Sequence, residues 1–137
     1  MHKILSKIIL SFSLLLFLLP SSGCSKRPIN GWLDGQWEVM QVDPAPLPEL
    51  SNERFFYNFG MHICQLYLYN QHFIDGIMAY DGETISVNFP HELTSEEIET
   101  LRYFGIDSNP FVFNVDFPNK NTLILSNDDT TVVLRRF

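Results

Sequence analysis

A chain of 137 residues with a net charge of −7 suits one domain built around one core. Its 16 acidic side chains outnumber 9 basic ones, which excludes nucleic-acid binding through neutralised phosphates and electrostatic attachment to anionic lipid. Two cysteines, Cys24 and Cys64, are too few for a disulfide framework. From the start of the chain, Lys3 and Lys7 precede an apolar run from Ile8 to Leu19, broken only by Ser11 and Ser13 and ended by Pro20. That run is too short for a membrane-spanning helix, which needs roughly 20 apolar residues. A basic start, a short apolar stretch and small residues before a cut have the anatomy of a secretory signal.

Ser21-Ser22-Gly23-Cys24 resembles the lipobox of bacterial lipoproteins, in which the cysteine after the cut receives diacylglycerol. Ser22 and Gly23 fit that pattern, whereas Ser21 stands where an aliphatic residue is usual. The resemblance implies a cleaved signal over residues 1–23, a lipidated end at Cys24 and a tether over 24–34. Ser25-Lys26-Arg27 follows without an aspartate that would retain such a protein at the inner membrane. The implied address is the bacterial cell envelope, on the outer membrane and facing the periplasm. Residues 24–137 number 114 and carry 7 basic against 16 acidic side chains, a net −9. Acylation then has to hold the protein at the membrane without help from the domain's overall charge. Cys64 has no partner left and reads as a small buried hydrophobe on a strand.

From Gly35 the pattern is that of strands. Gly35–Val42 puts Trp37 and Val39 on one face. Asp43–Asn52, with Pro44, Pro46 and Pro48, cannot join a sheet interior and reads as a long extended loop. Strands follow at Arg54–Phe59, Ile63–Tyr69, Phe73–Tyr80 and Thr84–Phe89. Asp81-Gly82 is a hairpin signal, and Asp75-Gly76 reads as a mid-strand bulge. A two-residue turn at Asn70-Gln71 would set Tyr69 opposite His72 and His62 opposite Ala79.

One helix interrupts the strands over residues 95–104. Thr94 and Glu97 make a capping box, flanked by Leu93 and Ile98 as a hydrophobic staple. Glu96 and Glu97 suit its positive end, Arg102 the other, and Gly105 its stop. Ile98, Leu101 and Phe104 share a face. Phe111, Phe113, Val115 and Phe117 then alternate with Val112, Asn114 and Asp116, the clearest period-two stretch. Turns at Pro118–Lys120 and Asn127–Asp129 lead into Thr122–Leu125 and Thr131–Arg136. About eight short strands with hairpin turns and one inserted α-helix read as a mainly all-β protein, an up-and-down antiparallel barrel or a sandwich.

Gly35-Gln36-Trp37 on the first strand, followed by a meander, resembles the lipocalin and wider calycin group. The layout is most similar to the small lipocalin-like lipoproteins of Bacteroidetes, over residues 35–137. In that group the G-x-W tryptophan packs at the closed end of the barrel against an arginine near the end of the last strand. The resemblance therefore implies an up-and-down lipocalin-like barrel, with Gly35, Trp37 and Arg135 or Arg136 as its structural motif. The chain is shorter than a lipocalin proper, and its helix precedes the last three strands instead of following the barrel.

Motifs of catalysis are not apparent. His62-x-Cys64 sets two possible metal ligands on one strand face, with His72 as a third. In the register above, seven strand residues separate the histidines by roughly 23 Å at 3.3 Å each, so they cannot share a zinc. Asp75, the one acid in an apolar strand, reads as a bulge hydrogen-bonding group. No catalytic residue, metal or cofactor is assigned, and the chain is read as a non-enzymatic protein.

The reading is a lipid-anchored envelope protein that binds a small apolar or amphiphilic ligand, with Trp37, Tyr67, Phe73, Phe111 and Phe113 as ligand-binding residues. The alternative is an envelope interaction module with a filled core and an unknown protein partner. Phe111, Phe113, Phe117 and Trp37 all compete for interior volume. The expected site is therefore a shallow cavity under Asp43–Asn52, lined by aromatics and below about 300 Å³.

Overall fold

The computed structural model describes residues 29–47 and 53–137. Lipidation at Cys24 and the signal lie outside these residues. Eight antiparallel strands, each paired with the next in sequence and the last with the first, close a barrel. They are β1 (Gly35–Asp43), β2 (Phe55–Gly60), β3 (Ile63–Leu68), β4 (Gln71–Tyr80), β5 (Thr84–Asn88), β6 (Phe111–Asn119), β7 (Thr122–Ser126) and β8 (Thr131–Arg136). Closure leaves no free sheet edge. Alternation within the strands sends Leu66, Ile85, Val87, Phe113, Leu123, Leu125, Val132 and Leu134 into the interior.

The order of connections gives the barrel two unlike ends. One end carries the tight turns after β2, β4 and β6 and the chain entering β1. The other, the mouth, carries the proline-rich β1–β2 connection, the helix between β5 and β6, and the β7–β8 turn. The entering chain forms a single 3-10 turn, Gly31–Leu33, whose Leu33 is fully buried.

Trp37 is also fully buried. Its indole N–H donates to the Leu33 carbonyl at 2.9 Å, so the ring's one polar atom is satisfied inside the core. Of the two candidate arginines it is Arg136 that covers the ring, its guanidinium carbon 4.2 Å from the ring centroid. The same guanidinium donates to the carbonyls of Trp32 (2.6 Å), Lys120 (2.9 Å) and Asp34 (3.2 Å). Arg135 turns the other way and joins Arg54 on Glu38, at 3.0 and 2.9 Å. The Arg54 hydrogen bonds hold the Glu38 carboxyl below the ordinary glutamate value, against the burial that would raise it. Across the sheet, Phe56 is buried on the outer face because Arg54 and the Phe137 ring cover it.

Three local expectations need correction. The β3–β4 turn falls at Tyr69-Asn70, with Leu68 opposite Gln71 and Tyr67 opposite His72. The Tyr69 N–H is held by the Arg54 carbonyl at 2.6 Å with φ at +57°, so the chain reverses one residue early. Next, the bulge is at Phe73, because Leu66 pairs with Ile74 while Tyr67 pairs with His72. Gly76 lies in regular pairing opposite Cys64 and is there for space, since a Cβ would come within 2.3 Å of Val87. Asp75 does bond across the bulge, to His72 at 2.6 Å. Finally, the helix α1 is short, Ser95–Leu101, and tightens into a 3-10 turn over Arg102–Phe104. The capping box is formed as read, with both Thr94–Glu97 bonds present. The tighter turn stacks Leu101 and Phe104 inward, three residues apart, and leaves Ile98 exposed. Gly105 ends the segment at φ +80°.

Arg136→Lys should lower unfolding free energy by about 2–3 kcal/mol, because an ammonium can neither stack on the indole nor serve three carbonyls. Arg135→Lys, in a solvent-screened pair, should cost about 0.5–1 kcal/mol. Urea unfolding of the two variants reads the difference, and equal costs would remove the special role given to Arg136.

Candidate functional site

The interior of the barrel is filled with rings. Tyr57, Phe59, Phe111 and Phe113 occupy it from the strands, and Phe104 enters from the mouth as a stopper. The Phe104 ring meets Phe55 at 5.2 Å and Tyr57 at 5.7 Å, both edge-on, and lies parallel to Phe73 at 6.2 Å. The Tyr57 hydroxyl donates to the Phe104 carbonyl, which ties the 3-10 turn to the wall and satisfies a hydroxyl that burial keeps un-ionised. Cys64 is likewise fully buried and its thiol is pushed up by desolvation, so it offers no thiolate nucleophile. Among the described residues no group of three His, Cys, Asp or Glu could hold a metal.

At the mouth, two clefts lie around this stopper. Under the described part of the proline-rich loop is a cleft of about 410 Å³. Val42, Pro44, Pro46, Leu47 and Ile106 make it apolar, and Arg102, Asp107 and Thr130 bring polar groups to it. A second cleft of about 370 Å³ shares Ile106 and Asp107 with the first and continues past Leu93, Ile98 and Leu101. The loop is held off the barrel by proline, which cannot pair into the sheet. Gly105 lets the chain lie close against β8 at the edge of the first cleft, because a Cβ there would come within 2.3 Å of Val132.

A cavity under the proline loop was expected from the sequence, but its size and lining were not. It exceeds the expected 300 Å³, and its described walls are aliphatic, because the aromatic side chains have been drawn into the core. The five aromatic residues read as ligand-binding occupy other places. Trp37 is at the closed end, and Phe111 and Phe113 are inside the barrel, 5.5 Å apart. Phe73 is stacked on the stopper, and Tyr67 sits edge-on to His72. None of them lines either mouth cleft. The residues that do, Val42, Ile106 and Arg102 among them, carried no sequence signal beyond the proline loop and the helix end beside them.

Phe104→Ala should open the interior, at a cost of about 3–5 kcal/mol for a buried ring, and let a small apolar probe enter the space between Phe55, Tyr57 and Phe73. Phe104→Leu should cost less and admit less. Denaturation and probe binding measured on both variants check this; a barrel that stays closed to the probe in both would mean that Phe104 is not what fills the mouth.

The fold can now be compared with known proteins. The model of a lipocalin-like domain matches residues 15–137. A lipocalin-like protein from Bacteroides uniformis has a similar structure, with a TM-score of 0.60 at 22% identity over 78% of this chain and 100% of that one. An uncharacterized protein from Bacteroides eggerthii is similar at a TM-score of 0.56 and 19% identity, over 76% of this chain and 98% of that one. Comparison with curated proteins gives no match. With its eight-stranded barrel, its G-x-W tryptophan under Arg136 and a family model that spans most of its length, this chain belongs to the lipocalin-like domain family.

Proposed function

We propose that this is a lipid-anchored envelope protein whose lipocalin-like domain binds a small apolar or amphiphilic ligand at the mouth of the barrel, without catalysis. The observation that carries the reading is the contrast between a ring-filled interior and a cleft of about 410 Å³ beside it. That volume falls within the roughly 300–1,000 Å³ of small-molecule sites, which are mostly apolar with a few placed polar groups. Val42, Pro44, Leu47 and Ile106 supply the apolar wall, and Arg102 with Asp107 supplies polar groups for a headgroup. Cys24 supplies the anchor, and the absence of aspartate from Ser25-Lys26-Arg27 supports, by resemblance to bacterial lipoproteins, the outer membrane facing the periplasm.

A fluorescent fatty-acid probe should bind the domain with a Kd of about 10–100 μM, modest because the cleft is open. Ala45→Trp, on the exposed loop, should weaken binding about tenfold by occupying the cleft, and Phe113→Trp, remote from it, should not. If Ala45→Trp changes nothing while Phe113→Trp abolishes binding, the ligand sits inside the barrel. If no apolar probe binds, the filled core favours the second reading, an envelope interaction module acting through its surface.

The anchor has its own test. Cys24→Ala should move the protein from the membrane fraction to the soluble fraction with its unfolding transition unchanged, since the cysteine precedes the described barrel. Sedimentation with membranes after a high-salt wash would refute acylation as the anchor.

A further inference from the structure

We infer that the closed end of the barrel is a membrane-contact surface, which lies against the interfacial zone of the bilayer and turns the mouth away from it. The inference rests on the reading of Cys24 as acylated. Three large apolar side chains stand out at this end. Ile29 is 66% exposed, Trp32 56% and Met61 65%. They come from two segments that the structure ties together, because the Asn30 amide donates to the Met61 carbonyl at 2.9 Å. Trp32 is presented on a rigid base. Its carbonyl is bound by Arg136 at 2.6 Å, and its ring leans edge-on against Phe117 at 5.9 Å. Met61 is held at φ +53° in the β2–β3 turn, a conformation that a non-glycine residue takes only where its surroundings enforce it.

The chain itself selects a lipid surface over other occupants of this patch. Ile29 follows Cys24 by only five positions, a reach of at most roughly 18 Å when fully extended. An acyl group at Cys24 therefore holds Ile29 within that distance of the bilayer, and the strands then carry the mouth outward. Tryptophan favours the headgroup level, where an apolar ring and a polar N–H are both accommodated. Lys26 and Arg27 lie in the tether, and Lys120 lies in the β6–β7 turn. Asp34, Asp81 and Glu83 belong to the same end and oppose strongly anionic lipid. Asp34 accepts from Asn30 at 2.7 and 3.2 Å, and Asp81 from the Glu83 and Thr84 N–H groups. The surface that suits this mixture is zwitterionic phospholipid, entered by apolar side chains while the acyl chains supply the affinity.

The protein's two tryptophans make the test direct, since Trp37 is fully buried and Trp32 is not. The acylated full-length protein, its modification verified by intact mass, is reconstituted in phosphatidylcholine–phosphatidylethanolamine vesicles with and without brominated acyl chains. The inference expects about a twofold or greater loss of Trp32 emission with the brominated lipid, as for an interfacial indole, and no loss in Trp32→Phe, which reports Trp37 alone. A mass-verified, vesicle-bound protein with unquenched Trp32 overturns the orientation and leaves the anchor standing; the patch is then open to a protein partner. A mature protein without acyl mass overturns the anchor and the orientation together.

Discussion

The guanidinium of Arg136 is the contact on which the closed end of this barrel depends. A barrel closes only if its last strand finds its first, and β8 and β1 meet with Arg136 opposite Trp37. The arginine covers the indole and collects carbonyls from the entering chain (Trp32, Asp34) and from the β6–β7 turn (Lys120). Each of those carbonyls lies outside the strands, so water or a side chain must satisfy it. Arginine serves three at once because its donors are fixed in a plane. One side chain thus joins the two ends of the sheet, seats the tryptophan and shuts off the interior from below.

What fills the interior follows from the size of the barrel. Eight strands enclose a space just wide enough for their own side chains or for one small ligand. Tyr57, Phe59, Phe111 and Phe113 use that space from the walls, and Phe104 takes the remainder from above. The turn that follows the helix therefore becomes part of the core. It is held there by the Tyr57 hydroxyl and by the change to 3-10 geometry that brings Leu101 and Phe104 into line. The space left by a barrel filled in this way is at its rim, beside the stopper.

Much of the fold was legible from the sequence because period-two alternation has only one explanation in strands as short as these. Phe111 to Phe117 could be assigned residue by residue, and the Thr94–Glu97 capping box and the Trp37–arginine pair are local or motif-borne. Features set by tertiary contact were not legible. The Arg54 carbonyl moves the β3–β4 turn by one residue, and no local propensity announces that. Gly76 looks like a bulge residue in the sequence, and only the approach of Val87 shows that it is kept small for packing. The candidate site was half legible. Prolines marked the loop that covers it, but its floor at Val42 and Ile106 joins residues 64 positions apart. The richness of the chain in aromatics pointed into the core instead of to the cleft.

The two ends of the barrel also differ in how they can change. At the closed end the turns are tight, and Arg136 ties the β6–β7 turn to the entering chain through the Lys120, Trp32 and Asp34 carbonyls, so that its shape varies little. At the mouth the β1–β2 and β5–β6 connections are long, and the stopper is held to the wall by ring contacts and one hydroxyl. Ring contacts are non-directional and can re-form after a shift, whereas a fan of charge-assisted hydrogen bonds to three carbonyls cannot slide. Any rearrangement that admitted a ligand more deeply would therefore begin with Phe104 and the chain on either side of it, and would leave Trp37 and the closed end as they are. A domain held rigid at one end and adaptable at the other can vary what its mouth accommodates without altering its closed end.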